Sequence, residues 1–277
     1  MPNATTAAAV AHVTDSPAQA KIEFQRLGKR FHRKNQTVTV MEGLDLTIRE
    51  GEFVCVVGPS GCGKSTLLNM SAGLMRPSAG TVLYDGQPVP EPNTKVGYIT
   101  QKDNLMPWRT VQANVALPLE VRGVGKEERK ARVAEMLDLV GLTGFEKSFP
   151  SELSGGMRKR VTLARVLAYE PEVIFADEPF GALDAQLRGI MQQELLRIWS
   201  ASKRTVVFIT HDISEAVALG DRVVVLSARP SKVKLDVPID LPRPRDLSKL
   251  RFEPRYNELN EYLWKVLSED LSEGAEV

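Results

Sequence analysis

The most informative segment of this chain is residues 58–66, which read Gly58-Pro59-Ser60-Gly61-Cys62-Gly63-Lys64-Ser65-Thr66. A glycine, four further residues and then Gly-Lys-Ser is the spacing of a phosphate-binding loop. The apolar run Phe53 to Val57 precedes the loop and predicts a buried strand, and Leu67, Leu68 and Met70 follow at helical spacing. A loop between a strand and a helix can point its N–H groups at phosphate oxygens, and the helix N-terminus adds partial positive charge.

Each part of this loop has a role in that interpretation. The glycines let the backbone approach phosphate closely. Lys64 should reach the β- and γ-phosphates, and the hydroxyl of Ser65 should ligate Mg²⁺. We interpret Cys62 as a small residue whose backbone binds, rather than as a redox group. A glycine-rich turn with an incidental lysine is disfavoured because strand, loop and helix agree. The expected nucleotide-binding residues of the loop are therefore Gly58, Pro59, Ser60, Gly61, Cys62, Gly63, Lys64, Ser65 and Thr66.

Composition restricts the class of protein. The chain has 277 residues, 43% of them hydrophobic, which suits one large domain or a domain with a small appendage. A formal net charge of +1 gives no electrostatic reason to expect a nucleic-acid partner. Two cysteines are too few for a disulfide framework and indicate a reducing compartment. No apolar stretch reaches the about 18 to 20 residues needed to span a bilayer, so a membrane function would depend on a partner.

The N-terminal part predicts a mobile tail followed by a small antiparallel sheet. Residues 1–20 are rich in alanine and threonine and lack the features of a signal peptide. Ile22 to Leu27 alternates apolar and polar residues, and Thr37 to Met41 and Leu44 to Ile48 do the same. Phe31 lies between these strands. Spacing alone favours packing of its ring in the core, and an exposed ring for adenine stacking is the alternative.

The middle of the chain predicts short strands and then helices. Val96 to Thr100 is an apolar strand, and Gln101 then enters a polar loop, where its amide could bind Mg²⁺ or water. Residues 102–150 are predicted to be helical, with an amphipathic helix over Lys126 to Val140. Trp108 stands in an apolar turn interrupted by proline, either as a local plug or as an anchor for a partner. A further strand is predicted at Thr81 to Tyr84.

Two later segments carry candidate chemistry. Ser154-Gly155-Gly156 precedes a predicted helix over 158–168 and forms a second possible anion site. Val173 to Phe175 is a buried strand that ends in Asp177 and Glu178, and two adjacent acids there are costly to bury without a cation. Asp177 is placed to hold Mg²⁺, directly or through water, and Glu178 would face the γ-phosphate and position water. The alternative is an acidic turn.

The last third of the chain supplies His211. It follows the β-branched strand Thr205 to Thr210, and ligands bind at the carboxyl ends of strands in parallel α/β sheets. The other predicted elements of this part are a helix over 182–200, strands over Arg222–Leu226 and Val233–Val237 (the latter at an edge), and an amphipathic helix over Tyr256–Leu267 after a proline-rich linker.

The motifs also form an ordered set. The phosphate loop, Gln101, Leu-Ser-Gly-Gly, Asp-Glu, Ala-Leu-Asp and His211 occur once each, in this order. This order resembles the ATP-binding subunit of an ABC transporter over about residues 21–240. The resemblance implies an α/β P-loop NTPase fold with an N-terminal antiparallel β subdomain and a helical subdomain insert at about 102–168. Residues 241–277 are then a short C-terminal extension.

The resemblance implies a role for each matching residue. The implied catalytic residues are Glu178 as base, His211 on the γ-phosphate, Lys64 and Gln101. The implied Mg²⁺ ligands are Ser65, Gln101 and Asp177. Phe31 would stack on the adenine of ATP, and Ser154, Gly155 and Gly156 would close over the ATP of a second copy in a head-to-tail dimer. Leu183 and Asp184 would lie at the dimer seam.

Some positions mark a subfamily. Met157 stands where the family usually has glutamine, and Ala176 replaces a larger apolar residue. Leu-Ser-Gly-Gly-Met-Arg, Pro107 to Val111 and Leu241 to Arg245 are similar to ATPases of bacterial nitrate, sulfonate and taurine importers. The implied partners are a polytopic permease and, indirectly, a solute-binding protein, and the implied place is the cytoplasmic face of the bacterial inner membrane. The solute is recognised by those partners.

Two other functions compete with import. One is an ABC ATPase that drives export, and only the subfamily residues named above argue against it. The other is a soluble ABC ATPase acting on DNA or ribosomes, a class with a long coiled-coil insertion or two cassettes. The sequence has one phosphate loop and no sustained heptads.

Overall fold

The computed structural model describes residues 19–33, 36–202 and 204–273. The predicted N-terminal tail, residues 1–20, therefore lies outside the described residues except for its last two, where the first strand begins. Within the described ranges the chain forms two β-sheets with helices packed against them. None of the helices described there is both long and apolar enough to cross a bilayer.

The N-terminal sheet is antiparallel, as the alternating pattern predicts. Its strands lie in the order β2-β1-β4-β5, with bounds β1 (Ala20–Arg33), β2 (Gln36–Arg49), β4 (Ala79–Tyr84) and β5 (Gln87–Pro88). The two strands predicted over Thr37 to Ile48 are one strand. The pairing of this strand with β1 shifts register near Gly43. Gly43 adopts φ 65°, a left-handed value that residues with a Cβ rarely adopt, so the strand continues through the shift.

The central sheet carries the phosphate loop. Its order is β10-β9-β3-β8-β7-β6, and neighbouring strands run parallel except for β10, which pairs antiparallel with β9 at the edge. Because a parallel sheet is covered on both faces, β3, β8 and β9 are wholly buried and read as continuous apolar runs. The strands are β3 (Phe53–Val57), β6 (Val96–Ile99), β7 (Val173–Asp177), β8 (Thr205–Ile209), β9 (Arg222–Leu226) and β10 (Val233–Pro238).

Two hydrophobic cores lie on opposite faces of this sheet. Strand β3 sends Phe53 and Cys55 into the core beneath the helices, and Val54 and Val56 into the core shared with the antiparallel sheet. Both cysteines of the chain, Cys55 and Cys62, are buried free thiols. Because successive side chains of a strand point to opposite faces, β3 contributes to both cores.

Helices cover the sheet and form the insert. They are α1 (Lys64–Ser71), α2 (Val111–Val121), α3 (Lys126–Leu139), α4 (Gly155–Leu167), α5 (Ala185–Ser202), α6 (Ile213–Leu219), α7 (Leu247–Leu250) and α8 (Pro254–Glu273). Helices α2, α3 and α4 pack on one another. The amphipathic prediction for α3 is confirmed, with Val133, Met136 and Leu137 buried. The helix predicted over Tyr256–Leu267 is also confirmed and is longer at both ends.

The prediction of helix throughout 102–150 is wrong at its start and at its end, where residues 140–149 form turns and irregular chain. Residues 101–110 form a loop that the buried side chain of Asn114 holds together. Asn114 Oδ1 accepts from the N–H of Met106 at 2.8 Å, and its Nδ2 donates to the carbonyls of Met106, Arg109 and Thr110. The predicted helix over 158–168 begins earlier, at Gly155, because the Ser154 hydroxyl caps it.

Candidate functional site

The phosphate loop joins β3 to α1 in a conformation that requires glycine. Gly61 and Gly63 have φ of 76° and 117°. A Cβ on Gly63 would lie 2.6 Å from Cγ1 of Val40, so a larger residue would displace the antiparallel sheet. Helix α1 begins directly at Lys64, which leaves the N–H groups of its first turn without helical partners. The loop and helix end therefore offer a set of N–H donors to an anion.

Lys64 is a buried lysine whose hydrogen bonds, among the described residues, go to backbone carbonyls. Its side chain is 6% exposed, and Nζ donates to the carbonyls of Gly58 at 2.8 Å and Pro59 at 3.0 Å. A buried ammonium is costly without a negative partner. These contacts keep the ammonium at the base of the loop, where a phosphate group would supply that partner.

Asp177 and Ser65 form the metal-side corner of the site. Burial raises the pKa of Asp177, the nearby Ser65 hydroxyl opposes this rise, and the charge of Glu178 adds to it. The Lys64 charge and the Tyr98 hydroxyl also act to lower this pKa. A bound cation would relieve both the burial and the repulsion. A carboxylate and a hydroxyl are oxygen ligands of the kind Mg²⁺ prefers, so the residues present fit that ion.

Glu178 is turned out of the sheet beside His211. Its φ is 44°, in the left-handed region that a residue with a Cβ rarely adopts, and its N–H donates to the Ile209 carbonyl at 3.0 Å. Its Oε2 lies 3.2 Å from His211 Nδ1. Backbone strain of this kind is concentrated at functional sites. The strained turn and the histidine after β8 thus place a carboxylate and an imidazole in contact at the carboxyl edge of the sheet.

Gln101 reaches the same place from the loop after β6. A Cβ on Gly181 would lie 3.6 Å from Glu178 Oε2 and 3.8 Å from Gln101 Nε2, so both side chains converge on this glycine. Behind it, the buried Lys159 of α4 donates to the Gln101 carbonyl and pairs with Asp103 at 2.9 Å. The predicted residues that lie at this carboxyl edge are Lys64, Ser65, Gln101, Asp177, Glu178 and His211.

Other predicted residues stand apart from this group. The Phe31 ring is 37% exposed near the end of β1, with the Lys29 ammonium 5.2 Å from its centroid, so the core-packing interpretation is wrong. The Ser154 hydroxyl accepts from the N–H of Met157 at 3.3 Å and caps α4. Among the hydrogen bonds of the described residues, none joins Ser154, Gly155 or Gly156 to the phosphate loop.

The predicted seam residues have structural roles within the chain. Leu183 is buried in the core beneath the helices. The Asp184 carboxylate accepts from the N–H of Leu187 at 2.9 Å and so caps α5.

Sequence reasoning missed two side chains at the site. Tyr98 lies on β6, and burial together with the nearby Asp177 carboxylate raises the pKa of its hydroxyl. The alternation of that strand is the signal that could have revealed which way Tyr98 faces. Arg229 lies beyond β9, and its Nε donates to the carbonyl of Gly61 in the phosphate loop. No local pattern indicates that contact, because the two residues are 168 positions apart.

Comparison with known proteins places this geometry in a family. The family model described as ABC transporter matches residues 41–181. An uncharacterized ABC transporter ATP-binding protein, MJ0412 of Methanocaldococcus jannaschii, is 49% identical over 234 residues, covering 84% of this chain and 88% of that protein. The aliphatic sulfonates import ATP-binding protein SsuB of Bacillus cereus is 43% identical over 232 residues, covering 84% and 91%.

Solved structures agree with this result. The dimeric structure of MJ0796, a bacterial ABC transporter cassette, has a TM-score of 0.70 and 33% identity and covers 80% of this chain and 100% of that one. The same cassette in a post-hydrolysis state, bound to ADP and Pi, matches equally well. From the family model and these relatives, we conclude that the chain belongs to the ABC transporter family and is one of its ATPases.

Proposed function

We propose that this chain is the ATPase subunit of a bacterial ABC importer for a small organic or inorganic anion of the nitrate, sulfonate or taurine type. The contact of Glu178 with His211 at 3.2 Å, beside the phosphate loop, is the observation that carries the ATP chemistry. The class of solute rests on the 43% identity to a sulfonate-import subunit and on the subfamily marks near Trp108 and at Leu241 to Arg245.

In the proposed mechanism each residue acts from the position described above. Lys64 would exchange its carbonyl partners for the β- and γ-phosphates, and Ser65 and Asp177, with Gln101, would hold Mg²⁺. The ion, when bound, neutralises charge that develops on the phosphates. Glu178 orients the attacking water, and His211 contacts the γ-phosphate. Prearranged charges of this kind stabilise the transition state.

The site is completed by a second copy in this proposal. At the start of α4, Ser154 is exposed, Gly155 is half-buried and Gly156 is buried. The N–H groups of this first turn would suit the phosphates of a partner's ATP. Phe31 would stack on the adenine, and Leu183 and Asp184 would lie beside the seam. The support is the dimeric cassette of similar fold at 33% identity.

A groove beside the insert suits a permease. It has a volume of about 650 Å³ and lies between the end of α1, β6 and helix α2. Leu74 and Val121 on its walls are 62% and 81% exposed, and Trp108 is 74% exposed on the loop before α2. Exposed apolar side chains of this size gain most when a partner covers them. A short helix of a permease would fill this groove and hold the chain at the cytoplasmic face of the membrane.

Transport in a reconstituted system tests the proposal. A candidate permease and solute-binding protein from the source organism would be reconstituted with the chain in proteoliposomes, with ATP supplied on the side of the membrane where the chain is bound. We expect ATP-dependent uptake of an aliphatic sulfonate, nitrate or taurine, and no uptake with Glu178→Gln. ATP-driven movement in the opposite direction would identify an exporter. ATP hydrolysis that no membrane partner changes would support a soluble ATPase instead.

A further inference from the structure

Helix α6 begins two residues after His211, so its placement fixes the backbone that carries this side chain. The Asp212 carboxylate caps the helix by accepting from the N–H groups of Ser214 at 2.9 Å and Glu215 at 3.2 Å. The helix has only seven residues. A helix of that length is marginal by itself and takes its position from what packs on it.

The C-terminal end of α6 is held by Arg245. This arginine is 5% exposed, and its Nη1 donates to the carbonyls of Val217 at 3.2 Å, Ala218 at 3.0 Å and Gly220 at 2.7 Å. The last carbonyls of a helix lack helical partners, and a cation there also matches the helix dipole. Arg245 therefore closes this end almost completely.

The N-terminal end of α6 is held by Tyr256, on helix α8. Its hydroxyl donates to the carbonyl of Ser214 at 3.1 Å, in the first turn after His211. Tyr256 and Asp212 both line a cavity of about 230 Å³ between α5, α6 and the C-terminal segment, with Arg188 on its third side. The first turn thus touches the C-terminal extension directly.

The extension itself is firmly attached to the fold. Leu259 and Leu263 of α8 are buried in the core beneath the helices. The side chain of Gln193, on α5, donates to the Arg245 carbonyl at 3.3 Å and accepts from the N–H of Leu247 at 3.1 Å. An element anchored in this way can hold α6 in place.

We propose that residues 241–273 act as a collar that holds both ends of α6 and thereby positions His211 against Glu178, with Arg245 and Tyr256 as positioning residues. This inference rests on the catalytic role proposed above for His211. The imidazole is exposed, and the hydrogen bond that the described residues give its side chain is to Glu178, so its position follows that of its backbone. Residues 242–245, which read Pro-Arg-Pro-Arg, would thereby support ATP hydrolysis.

Tyr256→Phe tests the collar with little disturbance, because it removes one hydroxyl and keeps the ring. Tyr262→Phe is the matched control, since that side chain is 48% exposed on the same helix. Arg245→Lys, which keeps the charge and loses the planar fork, serves as a second variant. For each full-length protein we would measure kcat and KM for ATP, the melting temperature, and the imidazole resonances of histidine-labelled protein. The chain has three histidines, His12, His32 and His211, and His211→Ala assigns the signal.

We expect Tyr256→Phe to lower kcat by about two- to tenfold, the range that one hydrogen bond supports, with KM nearly unchanged. The His211 resonance should move while those of the other histidines stay, and Tyr262→Phe should change nothing. Unchanged kcat and an unchanged His211 resonance in Tyr256→Phe would overturn the collar. A lower melting temperature of Tyr256→Phe, with kcat and the His211 resonance both unchanged, would also overturn it. If His211→Ala retains wild-type kcat, the proposed role of His211 fails, whereas the resonance still reports whether the collar positions it.

Discussion

Replacing Gly156 with alanine places a methyl group where helices α4 and α5 already touch. The new Cβ would lie 2.6 Å from Cδ1 and 2.7 Å from Cδ2 of Leu187. Atoms do not approach so closely, so either the helices separate or the leucine leaves its position. Overpacking of this kind typically costs about 1–3 kcal/mol of unfolding free energy. For a chain of this length that corresponds to a fall in melting temperature of about 2–5 °C.

The neighbouring glycine is the matched control. A Cβ on Gly155 would have Arg158 Nη2 at 3.8 Å and Leu183 Cδ2 at 3.9 Å as its nearest atoms, which are ordinary contacts. Alanine there restricts the unfolded chain and should stabilise the isolated subunit by about 0.4–1 kcal/mol. Two adjacent substitutions are therefore expected to change stability in opposite directions.

Thermal and urea unfolding, followed by circular dichroism, measure both effects. The cost of Gly156→Ala should shrink in a Leu187→Ala background, because the colliding side chain is gone. A Gly156→Ala protein that melts at the wild-type temperature would contradict the predicted cost and show that Leu187 moves aside freely. An equal cost in both backgrounds would show that Leu187 is not the obstacle.

Three further predictions follow from single side chains. Lys64→Ala should abolish ATP turnover with a nearly unchanged melting curve, and wild-type turnover in the folded variant would remove Lys64 from the mechanism. Trp108→Ala should weaken permease binding in a pull-down while costing only about 1 kcal/mol of stability, because the ring is 74% exposed; normal binding with a much lower melting temperature would reject docking. Burial raises the pKa of Glu215, against hydrogen bonds from Thr210 and Gln192, so the stability this group contributes is lost as pH rises through that pKa. Glu215→Gln should therefore gain stability over wild type as pH rises above 4.5 in urea titrations, and a constant difference at all pH values would count against this.

The parts of the fold that the sequence predicts are those with a local cause. Strand β3 is a continuous apolar run because helices and a second sheet cover it, and the glycines after it are required by the turn. The acids after β7 and His211 after β8 follow buried strands whose parallel pairing brings their ends to one edge. The residues that meet at the site could therefore be anticipated from a one-dimensional pattern.

The parts it does not predict depend on distant contacts. Phe31 lies beyond several irregularities in the register of β1, and each irregularity can change the face to which a side chain points, so spacing alone misplaces it in the core. The bond of Lys159 to Gln101 and that of Arg229 to Gly61 join residues 58 and 168 positions apart. The contacts that hold the loop at 101–110 are made by the side chain of Asn114, which lies in the following helix, so residues 101–110 alone do not reveal them.

The central claim is that ATP is hydrolysed by Glu178 in a site completed by a second copy. The most direct test is the mass of the Glu178→Gln protein in solution. Size exclusion coupled to light scattering measures this mass in the presence and absence of ATP and Mg²⁺. Loss of a general base lowers turnover by about 10²–10⁴-fold, so bound ATP should persist. We expect the 30.6 kDa chain alone without ATP, twice that mass with ATP, and no doubling when Ser154→Arg is added. A Glu178→Gln protein that turns over ATP rapidly, or one that binds ATP and keeps the mass of a single chain, would contradict the account.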